Sequence, residues 1–187
     1  MSWSGHFWTI APNLVHRVWP ATEPPSSPWS ALTTSHDGRP VRLSGALCEA
    51  PGTDSLVVIV HGLGGAIASP YCIRAAHAVR AMGMSSLRLA LRGADRSGED
   101  FYHAGLCEDL EVAFASPELS RYDNLFVLGY SLGGHVTLHA GVRARDPRLR
   151  AVAAVCAPLD LERGVVAIDA PERVIYRKHV LKGLKEI

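Results

Sequence analysis

Apolar residues in this chain fall into short continuous runs separated by longer amphipathic stretches. Leu56-Val57-Val58-Ile59-Val60 is a β-branched run, the pattern of a strand covered on both faces. Ser86 to Leu91, Leu125 to Leu128 and Ala151 to Cys156 predict three further strands, the last two buried. Trp29 to Thr34 and Val41 to Leu47 flank the turn signal Asp37-Gly38 and read as a β-hairpin. Between these runs the spacing is helical. Ser69 and Pro70 open one helix as N-cap and first-turn residues, and Gly83 closes it. A second helix over Ala104 to Ser116 presents Leu106, Leu110, Ala113 and Phe114 on one face and stops before Pro117. A third follows Leu128 and runs to Arg145, ahead of Asp146-Pro147. From Asp169 the tail reads as a helix, with Asp169 as cap, Pro171 in the first turn and Glu172 at capping-box spacing. Strands alternating with helices predict an α/β fold, a mostly parallel sheet with helices on both faces.

The Trp-, Pro- and Ser-rich residues 1–28 predict an extended arm, with Trp3, Phe7, Trp8 and Trp19 packing on the body. At 187 residues the chain suits one domain with a sizeable core. Its formal net charge of +1 gives no basis for a nucleic acid or an anionic membrane as a partner. No apolar run approaches the roughly 18 residues of a membrane span, and the first residues lack a basic segment followed by an apolar one. Cys48, Cys72, Cys107 and Cys156 have no zinc-like spacing, and their apolar neighbours predict buried, reduced thiols and a cytoplasmic protein.

The candidate chemistry begins at Gly129-Tyr130-Ser131-Leu132-Gly133, a G-x-S-x-G between a predicted strand and a predicted helix. That context is the one a nucleophile elbow requires, with the serine pushed out at the strand's C-terminal edge beside a helix N-terminus. A second glycine cluster, His61-Gly62-Leu63-Gly64-Gly65, directly follows the strand Leu56 to Val60. Acyl transfer through a serine needs two donors for the developing oxyanion. The N–H groups of Leu132 and Leu63 are the candidates. A phosphate loop does not fit, since neither G-x-x-x-x-G-K-[ST] nor G-x-G-x-x-G occurs. His61 reads as a structural residue holding its loop.

These motifs, together with Ser69-Pro70-Tyr71, Leu91-Arg92-Gly93-Ala94-Asp95-Arg96-Ser97-Gly98, Phe101-Tyr102-His103-Ala104-Gly105 and the opening His6-Phe7-Trp8-Thr9-Ile10, resemble the YheT-like branch of the α/β-hydrolases. The resemblance implies a carboxylesterase- or lipase-like serine hydrolase with a Ser-Asp-His triad. It also implies no cofactor, no metal and a small acyl ester of short to medium chain as substrate. Ser131 is then the nucleophile, with Leu63 and Leu132 as oxyanion donors. His135 stands where that branch usually has Asn and is expected to be structural. Arg92, Asp95 and Arg96 are expected to brace their loop through ion pairs.

In this fold the acid and then the histidine follow the serine in the chain. Asp160, after the strand Ala151 to Cys156, is the best acid available, although in the family this segment leads into the cap and the acid comes later. Reading Val165 to Ile168 as a strand, with Asp169 as acid and His179 as base, leaves only Ala157 to Gly164 for a parallel crossover, which needs about a dozen residues or more. The expectation is therefore an arm (1–28), a hydrolase core (29–158) and the start of a cap (159–187), with the C-terminal part of the fold missing. An incomplete sheet of this kind predicts self-association through its open edge. It also leaves a catalytically inactive, lipid- or partner-binding fragment as the alternative function.

Overall fold

The computed structural model describes Val18 and residues 20–185, with residues 175, 179, 183 and 184 described by backbone alone. Six strands form one sheet: β1 (Ser27–Thr34), β2 (Pro40–Cys48), β3 (Ser55–Val60), β4 (Ser85–Ala90), β5 (Asn124–Tyr130) and β6 (Leu149–Val155). The spatial order is β1-β2-β4-β3-β5-β6. The β1–β2 hairpin and the β2–β4 pairing are antiparallel, and β4-β3-β5-β6 are parallel. Among the described residues five α-helices accompany them: α1 (Pro70–Ala81), α2 (Glu108–Ala115), α3 (Leu132–Arg143), α4 (Leu161–Asp169) and α5 (Val174–Lys185).

Pleating sends alternate side chains to two cores. Val58, Val60, Leu87, Leu89 and Val127 pack with Leu110 and Phe114 of α2 and Val136 of α3. Val57 and Ile59 pack with Cys72, Ala76 and Val79 of α1 on the other face. The mostly parallel sheet with helices on both faces is thus present, and among the described residues no helix is long and apolar enough to cross a membrane. Trp3, Phe7, Trp8 and Trp19 lie outside the described residues. The described end of the arm does pack on the body: Glu23 reaches the fully buried Arg88 at 2.7 Å, and the His77 ring meets the Thr22 carbonyl at 2.7 Å.

Several expectations are corrected. Strand β6 is the sheet edge, so its outward residues are exposed instead of buried. Helix α2 begins at Glu108, four residues late, because His103 to Leu106 close a turn first and the acids Glu108, Asp109 and Glu111 fill the first helical turn. Ser69 occupies the N-cap position of α1 without capping it; its hydroxyl accepts the Ala66 N–H instead. Asp169 ends a helix that the sequence reading did not anticipate, and α5 starts at Val174 after a 3-10 turn at Pro171–Arg173. Cys48, Cys72 and Cys107 are buried and free as expected, whereas Cys156 is free but exposed.

Two buried polar residues position the C-terminal edge of the sheet. His61, fully buried just after β3, directs Nδ1 at the Gly62 carbonyl at 2.8 Å and accepts the Leu91 N–H on Nε2 at 3.2 Å. One ring therefore staples the loops that leave neighbouring strands. Burial pushes its pKa below the ordinary 6.5, so the staple is neutral. Arg92 fans over the next loop, bonding Asp109 at 2.6 and 2.9 Å and Asp100 at 3.1 Å. Asp95 joins no pair with Arg92; its carboxylate accepts the Ser44 hydroxyl and the Ser97 N–H.

The His61 ring resonances are expected to keep neutral-imidazole shifts as the pH passes down through 6.5. Because the folded pKa is depressed, His61's share of stability is complete above that value and falls away below it. A ring that titrates at the free value in an NMR pH series contradicts the staple. Asp109→Ala strands the Arg92 guanidinium in the core and is expected to cost about 3–5 kcal/mol in urea unfolding; a loss below about 1 kcal/mol would show the pair to be dispensable.

Candidate active site

Strands β3 and β5 lie side by side, but the chain leaves β3 toward β4 on one side and reaches β5 on the other. Such a switch of direction opens a crevice at the strands' carboxyl ends, and both glycine motifs emerge there. Val60 pairs with Gly129, so the loop after β3 and the turn after β5 leave the sheet together. Ser131 sits in that turn with φ 52° and ψ −122°, a left-handed backbone that costs a non-glycine residue roughly 1–3 kcal/mol. Packing enforces it. A Cβ on Gly133 would lie 2.1 Å from the His61 carbonyl oxygen, and one on Gly129 would lie 2.3 Å from the Gly133 oxygen. The turn is tied across the sheet by the Ser131 N–H donating to the Val155 carbonyl at 2.9 Å.

The loop after His61 is held on both sides of Leu63. The Gly62 N–H donates to the Tyr71 hydroxyl at 3.1 Å, and the Gly64 N–H to the Tyr102 hydroxyl at 2.7 Å. Tyr71 packs against Tyr130 at 4.8 Å, and Tyr102 stands edge-on to His61 at 5.5 Å. Burial raises both phenol pKa values, so both hydroxyls are neutral at physiological pH. Between the two pinned amides, the Leu63 N–H meets no acceptor among the described residues. Sequence reasoning named Leu63 but not its two pins. Their signal was present in Ser69-Pro70-Tyr71 and Phe101-Tyr102-His103, whose tyrosines no hydrophobic pattern explains.

Leu63, Leu132 and Ser131 share one cavity of about 690 Å3, walled by Tyr71, Tyr130 and Val155 and roofed by Leu161, Val165 and Ile168 of α4 and Val180 of α5. Among the described residues its lining contains no charged side chain. The other sequence candidates are not among the described residues that line this cavity. Asp160 is the N-cap of α4: its carboxylate accepts the Arg163 N–H at 2.9 Å and pairs with the Arg163 guanidinium at 3.2 Å. His135 points along α3, its Nδ1 2.8 Å from the Pro158 carbonyl oxygen and its ring 4.7 Å from that of His139. The His179 side chain lies outside the described residues; its backbone is within α5. No described histidine or carboxylate hydrogen-bonds the Ser131 hydroxyl. Among the described residues no group of three or more His, Cys, Asp or Glu is placed to hold a metal ion.

No curated protein matches this chain. Solved structures do. An esterase from Pyrococcus furiosus is 19% identical at a TM-score of 0.64, covering 82% of this chain and 66% of its own. A dienelactone hydrolase from Anabaena variabilis is 20% identical at 0.55, over 74% and 67%. An alpha-beta serine hydrolase homologue from Coxiella burnetii is 21% identical at 0.55, over 72% and 65%. The chain thus spans about two thirds of the length of each, and the likeness is one of fold. A model of the alpha/beta hydrolase fold family matches residues 55–174, most of the chain, and the protein belongs to that family.

Proposed function

We propose that this chain is a serine hydrolase of the YheT-like branch, acting in the cytoplasm on carboxylic esters of short to medium acyl chain. The observation that carries the reading is Ser131 held at φ 52° in an apolar cavity that also contains the Leu63 amide, which has no acceptor among the described residues. In the proposed reaction the Ser131 Oγ attacks the ester carbonyl carbon. The carbonyl oxygen, now negative, accepts from the N–H groups of Leu63 and Leu132, a donor pair of the kind worth roughly 3–4 kcal/mol per member. Collapse of the tetrahedral species breaks the bond to the alcohol and leaves an acyl-serine, which water then hydrolyses. The Ser131 proton passes to a base and from there to the departing alkoxide. For Asp160 to orient that base, it would have to leave its place at the N-terminus of α4.

A second reading is favoured by one observation, the absence of any described base on the Ser131 hydroxyl. It makes the chain a binding module that holds an acyl chain without turnover. The outer edge of β6, unpaired among the described residues, supports self-association under either reading.

Under the hydrolase reading, Ser131 is labelled by a fluorophosphonate probe and p-nitrophenyl butyrate is hydrolysed. Ser131→Ala is expected to abolish both while circular dichroism stays unchanged. A folded, unlabelled wild-type chain selects the binding module. Tyr71→Phe combined with Tyr102→Phe frees the two amides beside Leu63 and is expected to lower kcat about tenfold or more with little change in KM. An unaltered kcat would remove the tyrosines from any role in positioning the Leu63 donor.

A further inference from the structure

Gly164 stands inside α4, its N–H donating to the Asp160 carbonyl at 3.0 Å in an ordinary helical bond. A helix-interior glycine lowers the folding equilibrium roughly fivefold relative to alanine, so its presence needs a local reason. The glycines of α3 have one: a Cβ would come within 2.1 Å of backbone at Gly133, within 3.0 Å of the Ala157 side chain at Gly134, and within 2.8 Å of Val152 at Gly141. Gly164 has none of this kind. Its φ is not positive, and a Cβ there would meet only the Pro158 Cβ at 3.7 Å, an ordinary contact. Neither backbone nor packing requires glycine at this position.

The cavity does use it. Gly164 lines the roof above Ser131 one helical turn from Leu161 and Ile168, and its bare Cα is the gap between those side chains. We infer that Gly164 sets the length of acyl chain the site accepts: the distal methylenes of an uncharged, linear acyl ester run into the space a side chain would fill. The inference rests on the hydrolase reading above. It names a specificity-determining residue within it. In a cleft of about 690 Å3 whose described lining carries no charged side chain, each methylene that leaves water is favoured by roughly fourfold until the chain meets α4.

The test measures kcat/KM for p-nitrophenyl acetate, butyrate, hexanoate and octanoate with the wild type, Gly164→Ala, Gly164→Leu and Gly164→Phe. The octanoate-to-acetate ratio is expected to fall about fourfold for Ala and tenfold or more for Leu and Phe, while Gly164→Ala raises the melting temperature. Octanoic acid titrated calorimetrically into Ser131→Ala, with and without Gly164→Phe, is expected to bind about tenfold more weakly in the double variant. Cooperatively melting Leu and Phe variants that keep the wild-type ratio overturn the inference, as does equal octanoic acid affinity. Should the bulky variants fail to fold, Gly164→Ala still decides, since an unchanged ratio there overturns it. If Ser131→Ala hydrolyses as fast as the wild type, the hydrolase reading fails, and the octanoic acid titration judges the Gly164 cavity on its own.

Discussion

The structure depends on how closely α3 is allowed to approach the end of the sheet. The helix axis starts so near β3 and β5 that the Cα of Gly133 rests against the His61 carbonyl, and no side chain fits between them. This proximity forces the chain to reverse within one residue, and that residue is Ser131. The strain is then distributed through bonds that belong to other elements: the Val155 carbonyl from β6 takes the Ser131 N–H, and the Ser131 carbonyl starts the helix by accepting from His135. The elbow is therefore a property of three strands and a helix packed together, which is how a conformation costing roughly 1–3 kcal/mol persists.

Around it the polar groups are organised to keep one amide free. His61 is neutral, buried and used at both nitrogens, so the loop after β3 is anchored to β4 without placing a charge near the cavity. Tyr71 and Tyr102 then occupy the amides on either side of Leu63. Charged groups are kept further out. Arg92 is neutralised by Asp109 and Asp100, and Arg148 by Asp146 and the carbonyls of Leu119 and Phe114. Arginines that look like surplus in a composition count are fastening loops, so a net charge near zero says little about what the cavity binds.

Much of this was legible because it depends on local spacing. Continuous apolar runs mark β3 and β5, and G-x-S-x-G between strand and helix marks the turn at Ser131. What escaped depends on neighbours distant in sequence. Strand β6 carries the same apolar composition as a buried strand, and only its place at the edge leaves it open. Arg88 sits between Leu87 and Leu89 in a fully buried strand, and nothing nearby in sequence announces Glu23 as its partner. Helix α4 was hidden because Asp160 was weighed as a catalytic acid when its side chain serves as the cap that starts the helix. Ser69 and Asp169 satisfy capping rules by type, but each has a different role once the turn before it closes.

Three local irregularities converge on the cavity. Ser131 has a strained backbone, the Leu63 N–H has no acceptor among the described residues, and Gly164 interrupts a helix where alanine would fit. The first and third are each worth on the order of 1 kcal/mol against folding, and any one alone would pass as the ordinary irregularity of a natural chain. Their coincidence in one lining sets the cavity apart from the continuous pairing of β3 with β4, a strand buried throughout. Departures from local consistency that gather in one place are expected where a site does chemistry or binds a ligand. Here they share a lining whose described residues carry no charged side chain, beside the last two helices. The polar groups such a lining offers are the Ser131 hydroxyl, the Tyr71 and Tyr130 hydroxyls, the Cys156 thiol and backbone amides, so under the proposed reading apolar length and shape carry most of the discrimination.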